Sequence, residues 1–407
     1  MDIIFIGGFF PKQFTPLILS KSLLEVQNSA NVFQWALIKG LEQNLKQPIK
    51  LITAPYIGWY PKYYKDLTLK TSYFSNGNVI NSGIMVGFLN LPIIKNIYKF
   101  FNIYSSIINT CSFEDKTVLI VYSIDLAYLK AALKAKQKIP NSIVCVTIND
   151  LHEFPGGKDI LHGFYIKYVE RHLVYNLLSK VDCFIVVADK MVDFLKLHYK
   201  PYIRIEGIYD DQTDYEFGNT NHDEKNNIIL YTGSLDNRYG IKELLDAFKL
   251  INAPDFRLWI CGGGSGANLV MNRAQEDERI KYFGIVSKEK VIELQMKAKI
   301  LVNPRNPIGE YNKYSFPIKT IEYMASGTPA LIYKLDGIPK EYFDYCYIVE
   351  DNRIESLADA MYNVCQLDQD TLRLKGKTAR DFILRTKTAK MQCGKLLNMI
   401  IHVYQSK

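Results

Sequence analysis

The sequence predicts two successive doubly wound α/β domains, and three observations support this. Short β-branched runs alternate with longer amphipathic stretches along most of the chain, the pattern of parallel strands joined by crossover helices. The alternation breaks once, in the polar segment 209–226, and then restarts, as expected of an interdomain linker. A length of 407 residues is enough for two or three domains, each with its own core.

In the first domain, 1–208, strands are predicted at 2–7, 49–54, 117–122, 142–148, 182–187 and 202–207. Helical spacing falls at 31–43, 124–137, 161–178 and 189–198. The opening MDIIFIGGFF has an acid at position 2 and no basic segment, so it reads as a strand entering a glycine turn, not a secretory signal. In the second domain, 227–370, strands are predicted at 227–232, 256–261, 279–283, 300–303, 329–333 and 346–349. Helices are predicted at 241–251, 288–298, 318–325 and 355–366. A helical tail, 371–407, has no strand to feed and is expected to pack across the domains. Two such domains are expected to face each other across a cleft, with ligands beyond the carboxyl ends of the strands.

Composition narrows the class. Hydrophobic residues at 48% and charged residues at 23% are ordinary for a globular chain and exclude a disordered or collagen-like one. The seven cysteines form no C-x-x-C, which argues against disulfides or a zinc site and for a reducing, cytoplasmic compartment. No run approaches the ~18 apolar residues of a spanning helix, so a soluble or peripheral protein is expected. The net charge of +8 is uneven: residues 1–200 hold 22 Lys and Arg against 14 Asp and Glu, while the remainder is balanced. A Lys-rich, aromatic-rich half suits an anionic surface such as a membrane leaflet or lipid phosphate, although solubility accounts for it equally well. No basic recognition helix or aromatic RNA motif points to nucleic acid.

Four loops at predicted strand ends carry most of the chemistry. In YTGSLDNRYGIKELLDAF (231–248), amides at Gly233 and Ser234 with Arg238 nearby suit a diphosphate, though taken alone an ordinary βα turn explains them. In LWICGGGSGANLV (258–270), Gly262, Gly264 and Ala267 formally satisfy a dinucleotide fingerprint. That fingerprint belongs on the first strand of its unit, with an acid ending the second, and the next strand here ends in Gly284-Ile285-Val286. The glycines are read instead as allowing close approach of a ligand or tight helix–strand packing. In LVNPRNPIGEY (301–311), Arg305 can pair with a phosphate or bridge to Glu310. In SFPIKTIEYMASGTPALI (315–332), Pro317 fits a first helical turn and Gly327 a C-terminal cap, with Ile318, Ile321 and Ala325 facing inward. Glu322 borders that apolar face and is expected to be partly buried, accepting vicinal ribose hydroxyls or pairing with Lys319 or Arg305.

Taken together and in order, these motifs resemble the nucleotide-sugar-binding domain of the family-4 retaining glycosyltransferases, whose GT-B fold has two Rossmann-like domains. The resemblance is strong over about 227–350. It is weaker in the first half, through Gly7-Gly8, Ser29-Ala30-Asn31, Asp150 and Glu206-Gly207-Ile208. It implies that Glu322 binds the donor's ribose. Tyr314 stands where the family usually has a Glu against the donor sugar. Ser234 and Tyr239 stand where an Arg and a Lys usually clamp the diphosphate, leaving Arg238, Lys319 or Arg305 for that role. Gly263, Ile285, Ser315 and Phe316 complete the implied nucleotide-sugar site.

Transfer needs stabilisation of the leaving diphosphate and an acceptor hydroxyl held in line with the anomeric carbon. Basic side chains can meet the first need without a metal or a cofactor beyond the donor. The single D-x-D, Asp368-Gln369-Asp370, precedes a late helix and looks like a cap. On the acceptor side, Gly7 and Gly8 end the first strand where a side chain would block a ligand, though any βα turn favours glycine; Asn31 lies in the next helix. Asp150 or His152 is suited to orienting the acceptor or acting as base. The aromatic-basic stretches 56–66 and 93–108 suit either membrane or acceptor-lipid contacts, or packing between helices. The expected protein is a peripheral glycosyltransferase at the inner membrane leaflet. It would use a UDP- or GDP-sugar and a lipid-linked or glycan acceptor in surface polysaccharide biosynthesis. A sugar-nucleotide epimerase of the same fold and a non-catalytic binding homologue are the alternatives.

Overall fold

The computed structural model describes residues 1–24, 26, 28–76, 79–92, 94–151, 170–210 and 227–406. The chain divides into two compact units, Met1–Ile208 with Ala389–Lys407, and Tyr209–Thr388.

The first unit runs β1 (Asp2–Gly7), α1 (Thr15–Lys21), α2 (Asn28–Leu45), β2 (Lys50–Thr53), β3 (Thr68–Leu69), β4 (Ser72–Asn76), β5 (Val79–Met85) and β6 (Phe88–Leu89). It continues through α3 (Ile94–Thr110), β7 (Thr117–Tyr122), α4 (Leu126–Lys136), β8 (Ser142–Ile148), α5 (Arg171–Leu178), β9 (Cys183–Val186), α6 (Lys190–Leu195) and β10 (Tyr202–Arg204). The main sheet has the order β10-β9-β8-β7-β1-β2-β5-β4, parallel except for β4. Strands β7 and β8 are buried along their whole length, as uninterrupted TVLIVY and SIVCVTI require when helices cover both faces.

The second unit contains β11 (Asn227–Thr232), α7 (Ile241–Leu250), β12 (Phe256–Cys261), α8 (Ala267–Glu276), β13 (Ile280–Tyr282), α9 (Lys288–Lys297) and β14 (Ile300–Asn303). Then follow α10 (Lys319–Ala325), β15 (Ala330–Tyr333), β16 (Tyr347–Val349), α11 (Ile354–Cys365) and α12 (Gln369–Thr386). Its all-parallel sheet has the order β13-β12-β11-β14-β15-β16. The strand order reverses at β11/β14, and in the first unit at β1/β7, so these are the points where a doubly wound sheet opens a crevice.

Several expectations change. The stretch 371–407 is not one tail: α12 packs in the second unit, where Tyr345 stacks on Phe382 at 4.4 Å, and α13 (Ala389–Gln405) returns to the first. There Asn44 donates to the Lys390 carbonyl at 2.8 Å, and Gly40 leaves room for the Ala389 carbonyl. Asp368 accepts from the Thr371 amide at 2.8 Å, so the D-x-D acid is engaged as the α12 cap. The hairpin β4–β5 and helices α1, α3 and α8 are additions to the predicted elements. Half of the predicted helix 161–178, residues 161–169, and most of the polar segment 209–226 lie outside the described residues. No helix among the described residues is long and apolar enough to cross a membrane.

Candidate functional site

The loops leaving β11 and β12 meet backbone to backbone. Gly233 and Gly262 hold φ of +147° and +137°, and a Cβ on Gly262 would lie 1.7 Å from the Gly233 carbonyl oxygen. Only glycine fits such a contact. The Leu235 amide donates to the Gly263 carbonyl at 2.9 Å and the Gly266 amide to the Leu235 carbonyl at 2.7 Å, knitting the two loops together. Loop-to-loop packing thus accounts for Gly262, Gly264 and Gly266, where helix–strand packing or ligand approach was expected.

Helix α10 is fastened to the end of β11 by Tyr323, whose hydroxyl accepts from the Thr232 amide at 2.9 Å and donates to the Thr232 carbonyl at 3.1 Å. This places the Lys319 ammonium directly over Gly233, where a Cβ would lie 1.6 Å from Nζ. Lys319 has no hydrogen bond or ion pair among the described residues. The residue keeps partial exposure, but its ammonium is crowded by protein, and this desolvation lowers its pKa against the pull of Glu322.

The helix also corrects three expectations. Pro317 precedes it, with Ile318 at the N-cap and exposed, so Glu322 belongs to the first turn. Thr320, Ile321, Tyr323, Met324 and Ala325 are buried, which turns Glu322 to the opposite, exposed side. Glu322 has no hydrogen-bond partner among the described residues, so its carboxylate is free to accept hydroxyls. Gly327, at φ +70°, follows the helix end as the glycine cap predicted there.

Arg305, after β14, is 6% exposed. Its Nε donates to Asn312 Oδ1 at 2.7 Å and its Nη2 to Ser315 Oγ at 2.5 Å, and it lies 4.7 Å from the Tyr311 ring centroid. Burial lowers its pKa, and no carboxylate among the described residues pairs with it. Glu310 bonds Lys313 instead, at 2.7 Å, so the expected alternative bridge is absent. Arg305 therefore organises the loop 304–315. Arg238 is exposed, 3.4 Å from Asp236 and stacked on Tyr239. Ser234 is exposed and its carbonyl accepts from Tyr231 Oη at 2.6 Å. Tyr314 is half-buried at the end of a 3-10 turn, Phe316 packs on Tyr342, and Ile285, 79% exposed, covers Gly263.

In the first unit, the space around the glycines is filled by protein. A Cβ on Gly8 would strike the Tyr56 ring at 2.5 Å, and one on Gly7 would strike Gln34 Oε1 at 2.1 Å. Gln34 accepts from the Gly8 amide at 2.9 Å and Asn31 from the Phe10 amide at 2.8 Å, so both side chains hold the loop. Asp150 is exposed by surface area, yet surrounding protein crowds its carboxyl and raises its pKa. Water around the exposed side chain screens it, so this shift does not count toward stability. His152 lies outside the described residues.

The aromatic-basic stretches 56–66 and 93–108 contribute to a further cluster at the same strand ends, whose individual lysines the sequence did not single out. Lys99, 3% exposed, sits 5.2–5.9 Å from the rings of Tyr56, Phe88 and Tyr128, with no hydrogen bond or ion pair among the described residues. Lys95, one turn earlier, donates to the Ile57 carbonyl at 2.5 Å and is pushed down to about 7, first by burial and then by Lys99, with Asp125 opposing. Burial also raises Glu170 to about 7. Perturbed groups gathered at a ligand-binding edge are a functional signal. Its sequence trace is a pair of lysines four apart in a helix with no other charge.

Residues 212–381 match the family model described as "Glycosyl transferases group 1". Among curated proteins, none matches the chain significantly in sequence. Solved structures are similar over nearly full length. They include sucrose-phosphate synthase from Thermosynechococcus elongatus, with TM-score 0.67 and 14% identity over 100% of both chains. A TarM variant from S. aureus, in complex with fondaparinux, alpha-GlcNAc-glycerol and UDP, gives TM-score 0.60 and 10% identity over 99% of this chain and 100% of that one. The lipopolysaccharide outer core galactosyltransferase WaaB, in apo form, gives TM-score 0.58 and 14% identity over 99% of each chain. At these identities the likeness shows the fold: mixed α/β with parallel sheets, the fold of GT-B glycosyltransferases.

Proposed function

We propose that this chain is a glycosyltransferase that moves a sugar, with retention and without a metal, from a UDP- or GDP-sugar to a lipid-linked saccharide or glycan acceptor. Its setting would be the cytoplasmic face of the membrane, in surface polysaccharide biosynthesis. The family match over 212–381 and the structural neighbours support the class of reaction. The observation that carries the site is the unpaired Lys319 ammonium above Gly233, at the β11/β14 reversal, with a free Glu322 carboxylate on the same turn of helix. In this reading Lys319 and the Gly233–Ser234 loop hold the diphosphate as charge builds on it, and Glu322 accepts the ribose hydroxyls. Arg305 shapes the loop beside them, and Tyr314 faces the donor sugar. Asp150, exposed after β8, would orient the acceptor hydroxyl or act as its base.

The test is release of UDP or GDP across a panel of donors, with and without acceptor. Glu322→Ala is expected to weaken nucleotide binding by about 1.5–3 kcal/mol, the worth of a charged hydrogen-bond acceptor. Unchanged affinity in a folded variant would remove the assignment. A second reading, a non-catalytic nucleotide-sugar or glycan-binding homologue, is favoured by Ser234, Tyr239 and Tyr314 standing where the family has charged groups. That reading predicts binding without turnover, whereas an epimerase would consume donor with no acceptor present.

A further inference from the structure

We propose that the outer face of α3 is a docking surface for an anionic lipid bilayer; this deepens the membrane location proposed above. An ordinary surface helix turns its apolar stripe inward and its charges outward. Helix α3 departs from this, with apolar residues on both faces and a lysine on the inner one. Ile94, Ile97, Tyr98 and Phe101 stand at i, i+3, i+4 and i+7 and are 39–57% exposed, while Lys99 is buried with Ile103 and Ile107 on the inner face. Four large apolar side chains on one exposed stripe are what an interfacial helix presents to the headgroup–acyl boundary.

The charges around the stripe select the partner. Helices α3 and α4 carry five lysines and no Asp or Glu. On α4, the exposed Lys134 lies over the Phe100 and Tyr104 rings of α3, at 5.8 and 5.6 Å. On the other side, the loop bearing Trp59 and the exposed Lys62 is tied to the start of α3 by Lys95 to Ile57, and Lys62 lies 4.8 Å from the Tyr63 ring. Across residues 3–113 there are ten lysines and three acids. Such a lysine and aromatic fringe complements phosphate headgroups. It would repel a second copy of itself, lysine facing lysine.

The experiment is flotation of the full chain with phosphatidylcholine vesicles, with and without phosphatidylglycerol. Binding is expected only to the anionic vesicles and is expected to weaken with salt. Ile97→Asp with Phe101→Asp should lower vesicle affinity by about tenfold or more. Lys62→Glu with Lys134→Glu, which leaves the apolar stripe intact, should also weaken binding and flatten its salt dependence. Failure of the wild type to bind anionic vesicles, or binding by either double variant as tight as that of the wild type, overturns the proposal. Conversion of a dimer to a monomer by the α3 variant would assign the face to a second copy and overturn it as well. Nucleotide affinity, measured on the same samples, should be unchanged in every variant. If the wild type lacks it, the donor-site reading fails while the vesicle result still decides the docking face.

Discussion

Lys95, Lys99, Lys319 and Arg305 are each a desolvated cation without a carboxylate hydrogen-bonded to it among the described residues, and burying such groups costs stability. Lys95 makes this testable by pH. Its folded value of about 7 lies below the ~10.4 of an unfolded lysine. Between those values the unfolded chain binds the extra proton, so stability rises as pH climbs from about 7 toward 10, and below the folded value, where both states hold the proton, this contribution levels off. Denaturant midpoints measured across that window should rise for the wild type and rise less for Lys95→Met; parallel curves would contradict the shift. Glu322 shows how far a single residue could be read. Its identity and motif were plain in the sequence, but its exposure was not, because exposure depended on where the helix began.

At the level of elements, the glycine loops and α10 form one assembly, since the Gly233 turn, the Gly262 turn and Tyr323 all brace the end of β11. Gly262→Ala must place a Cβ against the Gly233 carbonyl at positive φ, and should cost at least about 1–3 kcal/mol from the backbone strain alone. Urea denaturation reads that loss, and nucleotide affinity should fall with it because Lys319 stands over the displaced turn. Motif order located these loops correctly from sequence. It misjudged the reason for the glycines, because a G-x-G-x-x-A spacing does not reveal which backbone comes within contact. Helix α3 was legible only as an aromatic-basic stretch. Apolar residues occur on both of its sides, so periodicity could not tell the inner face from the outer.

For the whole molecule, the division into units has an unequal consequence. Every residue of the candidate donor site lies within 209–388, whereas the first unit is completed by α13 from the far end of the chain. Helix α13 buries Cys393, Leu396, Leu397, Ile400 and Val403, and Tyr404 donates to the Thr117 carbonyl at 2.5 Å. Deleting 389–407 should therefore unfold or loosen the first unit while the second keeps its nucleotide affinity. Limited proteolysis with a parallel UDP or GDP titration checks this. Resistance of the first unit to protease after the deletion would show that α13 is dispensable.

The sequence by itself determined the two doubly wound units, the strand runs at their centres and the loops where a donor would sit, because buried parallel strands and glycine turns leave local signatures. Only the tertiary structure decided which cations lack partners, which side of α10 carries Glu322, and that the last helix belongs to the first unit. Those outcomes depend on contacts between residues far apart in the chain: Tyr323 with Thr232, Lys319 over Gly233, α13 against α2. No local window of sequence contains both partners of such a contact.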